Sequence, residues 1–183
     1  MSIIKNYGFL WERKYIYRGA GGAGNAGHLL GSVRVNGGVR VDFREQIGVY
    51  VLYDHNQKIV YVGQAGNGHA DLFRRLGHHM IDDLRARWEY FSWIGFRGVN
   101  ANGTLSNHQK VDAQVTNYRY KDALNEIEGI LIEVIEPKLN KQSGRLKEAQ
   151  EYFQVVDAKM TEASIYDLRN DIEAMRIELN KLS

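Results

Sequence analysis

Ile47-Gly48-Val49-Tyr50-Val51-Leu52-Tyr53-Asp54 and, after a short polar link, Lys58-Ile59-Val60-Tyr61-Val62-Gly63-Gln64-Ala65-Gly66 are the stretches that decide the fold. Both are rich in β-branched and aromatic residues, and Asp54-His55-Asn56-Gln57 between them is turn-like. Two such runs around a short polar link predict an antiparallel hairpin. Side chains alternate faces along a strand, so Tyr50 and Tyr61 on paired strands can share one face. Gly48 and Gly63 leave room for another backbone or a ligand to come close.

Downstream, Leu72, Leu76 and Met80 fall four apart and predict a helix. Arg75 and His79 are also four apart and share a helical face beside that stripe. A guanidinium and an imidazole on one face suit a phosphate and its leaving oxygen. Gly77 inside this helix costs some stability. Phe91-Ser92-Trp93-Ile94-Gly95-Phe96 is strongly β-prone. Gly98 to Asn117 is polar, carries Asn102-Gly103, and reads as a loop. Helical patterning resumes at Ala123, Leu124, Ile127, Leu131 and Val134, with Glu128 beside the stripe and Pro137-Lys138-Leu139-Asn140 at its end.

In order, the chain gives Gly48-Val49-Tyr50, Tyr61-Val62-Gly63, Arg75 with His79, Glu128 and Asn140 after Pro137. This series resembles the GIY-YIG nuclease family over roughly Ile47 to Gln142, about half the chain. No single triplet is specific; the ordered set is. The resemblance implies an α/β (α+β) fold, a small antiparallel three-stranded sheet flanked by helices, with the active site on one sheet face. It implies a metal-dependent endonuclease acting on DNA. Glu128 would hold one Mg²⁺ or Mn²⁺ per active site, and Tyr50 would take part in activating the attacking water. Tyr61, Arg75 and His79 would position and neutralise the phosphate, and Asn140 would support the site. A free tyrosine titrates near ~10, so Tyr50 as a base needs help from metal-bound water or from Arg75. Glu126 and Glu133 compete with Glu128 for the metal, but their spacing turns them away. The Arg75/His79 pair and compact size look like the restriction-type branch, hence restriction or anti-phage defence. The alternatives are a branched-DNA repair or recombination nuclease and a non-catalytic DNA-binding subunit of a larger complex.

Composition sets outer limits. The 183 residues can bury one real core. The absence of cysteine excludes disulfides, Cys-zinc sites and thiol nucleophiles. No apolar run is long enough to span a bilayer, and the first residues lack a signal peptide's apolar core, so a cytoplasmic protein without a membrane partner is expected. The net charge is only +2, but it is unevenly spread. Residues 1–46 carry seven basic and three acidic groups, residues 47–143 eleven of each, and residues 144–183 six basic and eight acidic.

Those divisions match the expected organisation: a basic, Gly-rich β accessory segment (1–46), the nuclease-like domain (47–143) and a helical tail (144–183). Within the first, Gly8 to Trp11 and Tyr15 to Arg18 look like strand pieces. Val33-Arg34-Val35 and Val39-Arg40-Val41 read as a hairpin. Arg34 and Arg40 there, with Trp11 or Tyr17 for stacking, would extend a DNA surface or simply pack on the sheet. Arg74 and Lys138 are further candidate nucleic-acid contacts. In the tail, Ile165, Leu168, Ile172, Met175, Leu179 and Leu182 repeat every 3.5 residues, a coiled-coil seam. Residues 164–182 would then form a homodimer, bind a partner protein, or fold back.

Overall fold

The computed structural model describes residues 2–19, 27–34, 38–66, 70–107, 126–127, 129–130, 134–135, 146 and 148–160. Glu128, Lys138, Asn140, the Val35–Gly37 part of the expected hairpin and the heptad repeat of residues 164–182 lie outside them.

The described fold is mixed α/β and mostly strands. Strands β1 (Asn6–Glu12), β2 (Leu30–Ser32), β3 (Val41–Asp42), β4 (Gly48–Tyr53) and β5 (Ile59–Ala65) precede helix α1 (Leu72–His79). Strands β6 (Tyr90–Gly95), β7 (Gln150–Glu151) and β8 (Phe153–Gln154) follow it. The main sheet runs β5-β4-β6-β1-β7, and a small one runs β3-β2-β8. The β4–β5 hairpin and β6 form as the sequence predicts, both antiparallel to β4. The expected three strands are only part of the sheet, however. β1, from the segment read as accessory, pairs antiparallel with β6, and β7 adds parallel to β1.

Other expectations shift. Of the expected strand piece Tyr15 to Arg18, Tyr15 ends a turn of 3-10 helix (Arg13–Tyr15) and Tyr17 makes one isolated bridge to His28. The second hairpin pairs Leu30 with Asp42 and Gly31 with Val41, so its strands lie outside the Val33 and Val39 positions. Those valines are exposed, whereas Gly31 is pressed by Trp11: a Cβ there would lie 2.7 Å from the indole. Packing against Trp11 fixes the register in place of valine–arginine alternation.

Trp93 and Ile94, adjacent on β6, face opposite sides of the sheet. On the Trp93 side, Trp11, Phe43, Tyr50, Leu52, Leu72, Leu76 and Phe91 form the larger core. Trp11 is only 2% exposed, donates from Nε1 to the Tyr152 carbonyl (3.0 Å) and meets Trp93 edge-on, so it is not the open stacking platform anticipated. On the Ile94 side a smaller core gathers Ile4, Ile94 and Leu146, with Ile130 and Val134 packed against it. Residues 126–127, 129–130 and 134–135 are helical, as their apolar spacing predicts. Among the described residues no helix is long and apolar enough to cross a membrane.

One buried side chain joins β1, β4 and β6. Gln46 accepts at Oε1 from the N–H groups of Ile47 and Arg97, and donates from Nε2 to Asn6 Oδ1 and the Arg97 carbonyl. All four bonds that its carboxamide usually makes are spent. Gln46→Leu strands the Arg97 N–H and the Asn6 amide oxygen, each costing about 1–3 kcal/mol when buried unpaired. The urea midpoint should therefore fall by the equivalent of ~3 kcal/mol or more; a change under ~1 kcal/mol would show that the network carries no stability.

Candidate active site

The two glycines of the hairpin motifs have separate jobs. Gly48 has φ +146°, and a Cβ there would lie 2.0 Å from the Ile94 carbonyl oxygen, so β4 and β6 can close only over a residue without a side chain. Gly63 pairs with Tyr50 across the hairpin. A Cβ on it would lie 2.4 Å from both Cζ and the hydroxyl of Tyr50, so the tyrosine ring lies over the space that Gly63 leaves.

Tyr61 pairs with Leu52, two residues from Tyr50, and therefore shares its face; the ring centroids are 6.1 Å apart. Helix α1 covers that face. Asp71 caps it, accepting from the Arg74 N–H at 2.8 Å, and Leu72 and Leu76 bury its inner side. This burial sets the rotation that brings Arg75 and His79, one turn apart, over Tyr50.

The Tyr50 hydroxyl is the meeting point. It lies 2.8 Å from His79 Nε2 and accepts from Arg75 Nε at 3.3 Å. His79 Nδ1 lies 2.7 Å from Asp82 Oδ2. With the Asp82 carboxylate accepting, Nδ1 carries the imidazole proton, so Nε2 offers its lone pair to the Tyr50 O–H. An Asp82–His79–Tyr50 relay results, with Arg75 against the phenol oxygen. The Tyr61 ring stands 4.8 Å from that of His79, and Trp88 Nε1 donates to the His79 carbonyl at 3.0 Å, fixing the end of α1.

Burial raises the titration of Tyr50 above its ordinary range, and Arg75 offsets only part of that rise. The bond to Tyr50 in turn raises Arg75. Partial desolvation pushes Asp82 up, but the Leu84 N–H and His79 outweigh it and hold its carboxyl below the usual range. Tyr50 and His79 are buried, at 0% and 5% exposure; Tyr61 and Arg75 are half-buried at the rim.

Four of the anticipated site residues, Tyr50, Tyr61, Arg75 and His79, thus come together. Arg74 is exposed on the outer face of α1, and Arg34 and Arg40 are exposed on the connection between β2 and β3. Glu126 is occupied elsewhere, accepting from the Ile3 N–H (2.8 Å) and from Ser2 Oγ. Asp82 was missed by the sequence reading. Its signal was the three-residue spacing from His79 across a helix end. No family model matches the chain, and neither does any curated protein or solved structure.

Because its titration is raised, Tyr50 stays protonated where unfolded tyrosine ionises. Its contribution to stability is therefore complete below pH ~10 and is lost as pH rises through the raised value. Absorbance titration of phenolate should lose one component above pH ~10 in Tyr50→Phe, and that variant should show a shallower alkaline fall in melting temperature. A Tyr50 midpoint at or below ~10 would overturn the assignment.

Proposed function

We propose that this chain is a GIY-YIG-like, metal-dependent endonuclease that hydrolyses phosphodiester bonds in DNA. The observation that carries this reading is the Tyr50 hydroxyl held between His79 Nε2 and Arg75 Nε. When the Tyr50 proton passes to Nε2, the new imidazolium faces Asp82 and the new phenolate faces Arg75. Both charges are compensated where they form, so a phenol that burial keeps protonated becomes usable as a base. At rest Tyr50 has no exposed surface, so water reaches the phenolate only as Arg75 turns to the phosphate; the phenolate then takes a proton from that water as the water oxygen bonds to phosphorus, and the ester oxygen departs and is protonated by solvent. Arg75 and the Tyr61 hydroxyl, at the rim, meet the phosphate whose charge grows in that step.

The described groups around Tyr50 are protic or cationic, and the nearby carboxylate of Asp82 is committed to His79 and the Leu84 N–H. Such a set suits the anion and leaves the cation to a carboxylate from elsewhere, the part given to Glu128, with Asn140 supporting it. Mg²⁺ or Mn²⁺ held there supplies Lewis-acid stabilisation of the phosphate. The reading includes a restriction or defence role in the cytoplasm, with a dimer through residues 164–182 placing two sites on one duplex.

A second reading, a non-cutting DNA-binding subunit, is favoured by one observation. Ile130 and Val134, on the segment that carries Glu128, pack on the Ile94 face, opposite Tyr50. Cleavage of supercoiled plasmid and of branched DNA with Mg²⁺ or Mn²⁺ separates the two. The nuclease reading expects metal-dependent cutting, abolished in Glu128→Gln and lowered about 10²–10⁴-fold in His79→Ala. Preference for branched substrate would indicate repair. DNA binding without cutting by the wild type would establish the binding subunit.

A further inference from the structure

We infer that the outer face of α1 is a seat for the DNA backbone, with Arg18 gripping a phosphate well outside the Tyr50 cluster. The inference rests on the nuclease reading and extends it to substrate positioning.

Arg18 follows the bridge between Tyr17 and His28 and lies across α1. Its guanidinium carbon stands 5.9 Å from the Phe73 ring centroid, and Nη1 is 3.4 Å from Met80 Sδ. Between those two residues is Gly77. A Cβ there would come within 2.7 Å of Nη1. Glycine is the weakest helix former after proline, and its place inside an eight-residue helix needs a reason. Without a side chain there, the guanidinium lies directly against the helix.

The seat leaves the charge available. Arg18 is exposed, and among the described residues no carboxylate pairs with it or with Arg74. A ring face and a thioether are weak partners, so most of the five guanidinium N–H donors remain unspent. If Arg18 merely shielded Phe73, its stem would suffice.

Helix geometry links this cation to the site. Arg74 is three residues before Gly77, His78 is four after Arg74, and Arg75 is three before His78. Each step is a neighbouring pair on a helix surface. Arg74 and His78 are exposed, so a continuous basic track crosses α1 from Arg18 to Arg75. The exposed acids Asp82 and Asp83 stand beyond the C-terminal end, which directs an anion across the earlier turns. Measured along the duplex axis, a helix about 10–12 Å wide spans roughly three nucleotides of one strand at ~3.4 Å of rise each. Phosphates on Arg18 and Arg74 would thus lie to one side of the one presented to Arg75, along the same strand.

The test is fluorescence anisotropy of a labelled 20-base-pair duplex with the full chain, in EDTA, from ~50 to ~200 mM NaCl. Loss of two phosphate contacts in Arg18→Gln/Arg74→Gln should flatten the slope of log affinity against log salt by about 2. Gly77→Ala, which keeps every charge and shifts only the flexible end of Arg18, should leave the slope at the wild-type value and serves as the control. Circular dichroism confirms that the variants fold. A slope equal to wild type in the double variant overturns the proposal. Wild-type cleavage with Mg²⁺ is scored separately. Cutting with an unchanged slope sinks the track and spares the nuclease, whereas a flattened slope without cutting does the reverse. A wild type that neither binds nor cuts removes both.

Discussion

The buried carboxamide of Gln46 is the constraint on which the rest of the geometry depends. Its side chain locks the ends of β1, β4 and β6 together through Asn6, Ile47 and Arg97. Its own backbone carbonyl accepts from the Leu72 N–H at 2.9 Å, at the start of α1. One residue therefore fixes both β4, which carries Tyr50, and the helix that brings His79 and Arg75 to it. A Cβ on Gly95 would strike the Gln46 amide at 2.5 Å, so that glycine belongs to the same device. A fully bonded polar group in a low-dielectric interior specifies a geometry more sharply than an apolar one of equal volume.

That device places a polar relay inside a hydrophobic core. Tyr50 packs with Leu52, Leu72 and Leu76, yet its hydroxyl meets an imidazole and a guanidinium. The same low dielectric that makes an unpaired hydroxyl costly strengthens each bond it does make. Site and core cannot be separated here. Any change that loosens α1 against Leu72 and Leu76 also moves His79, and a side chain at Gly63 acts on the site by way of the ring above it.

Legibility in the sequence followed the strength of each periodic signal. The β4–β5 hairpin, α1 and the Tyr50, Tyr61, Arg75 and His79 set were readable because their alternation or four-residue spacing is regular, and β6 because its residues are strongly β-prone. β1 was only half readable. A bulge between Gly8 and Trp11, with Leu10 at φ +45°, breaks the alternation by which a strand is recognised. β7 and β8 are two residues each and exist only because β1 and β2 offer them edges. No local pattern encodes such strands. Trp11 shows the complementary failure. An aromatic in a basic segment suggested a binding platform, but its burial under Phe43 and Trp93 depends on contacts remote in sequence. Asp82 sits just past the end of α1, where helical spacing weakens as evidence, although the three-residue step from His79 still held.

The burial of Tyr50 sets how a substrate can be met. In the nuclease reading we propose, a phenol with no exposed surface cannot be the first group to touch a phosphate, and contact falls to the half-buried Tyr61 and Arg75. Tyr61 is on β5, and β5 is the edge of the main sheet. Edge strands are normally shielded against pairing by charge, bulges or covering elements. Here Ile59, Val60 and Val62 are exposed on that edge. Val60 and Val62 point to the face opposite Tyr61, and Ile59 shares its face, so only a cover on the Ile59 side would close the approach to Tyr61. The order β5-β4 thus puts the second tyrosine on an edge strand, half-buried, and the first on a strand paired on both sides, fully buried.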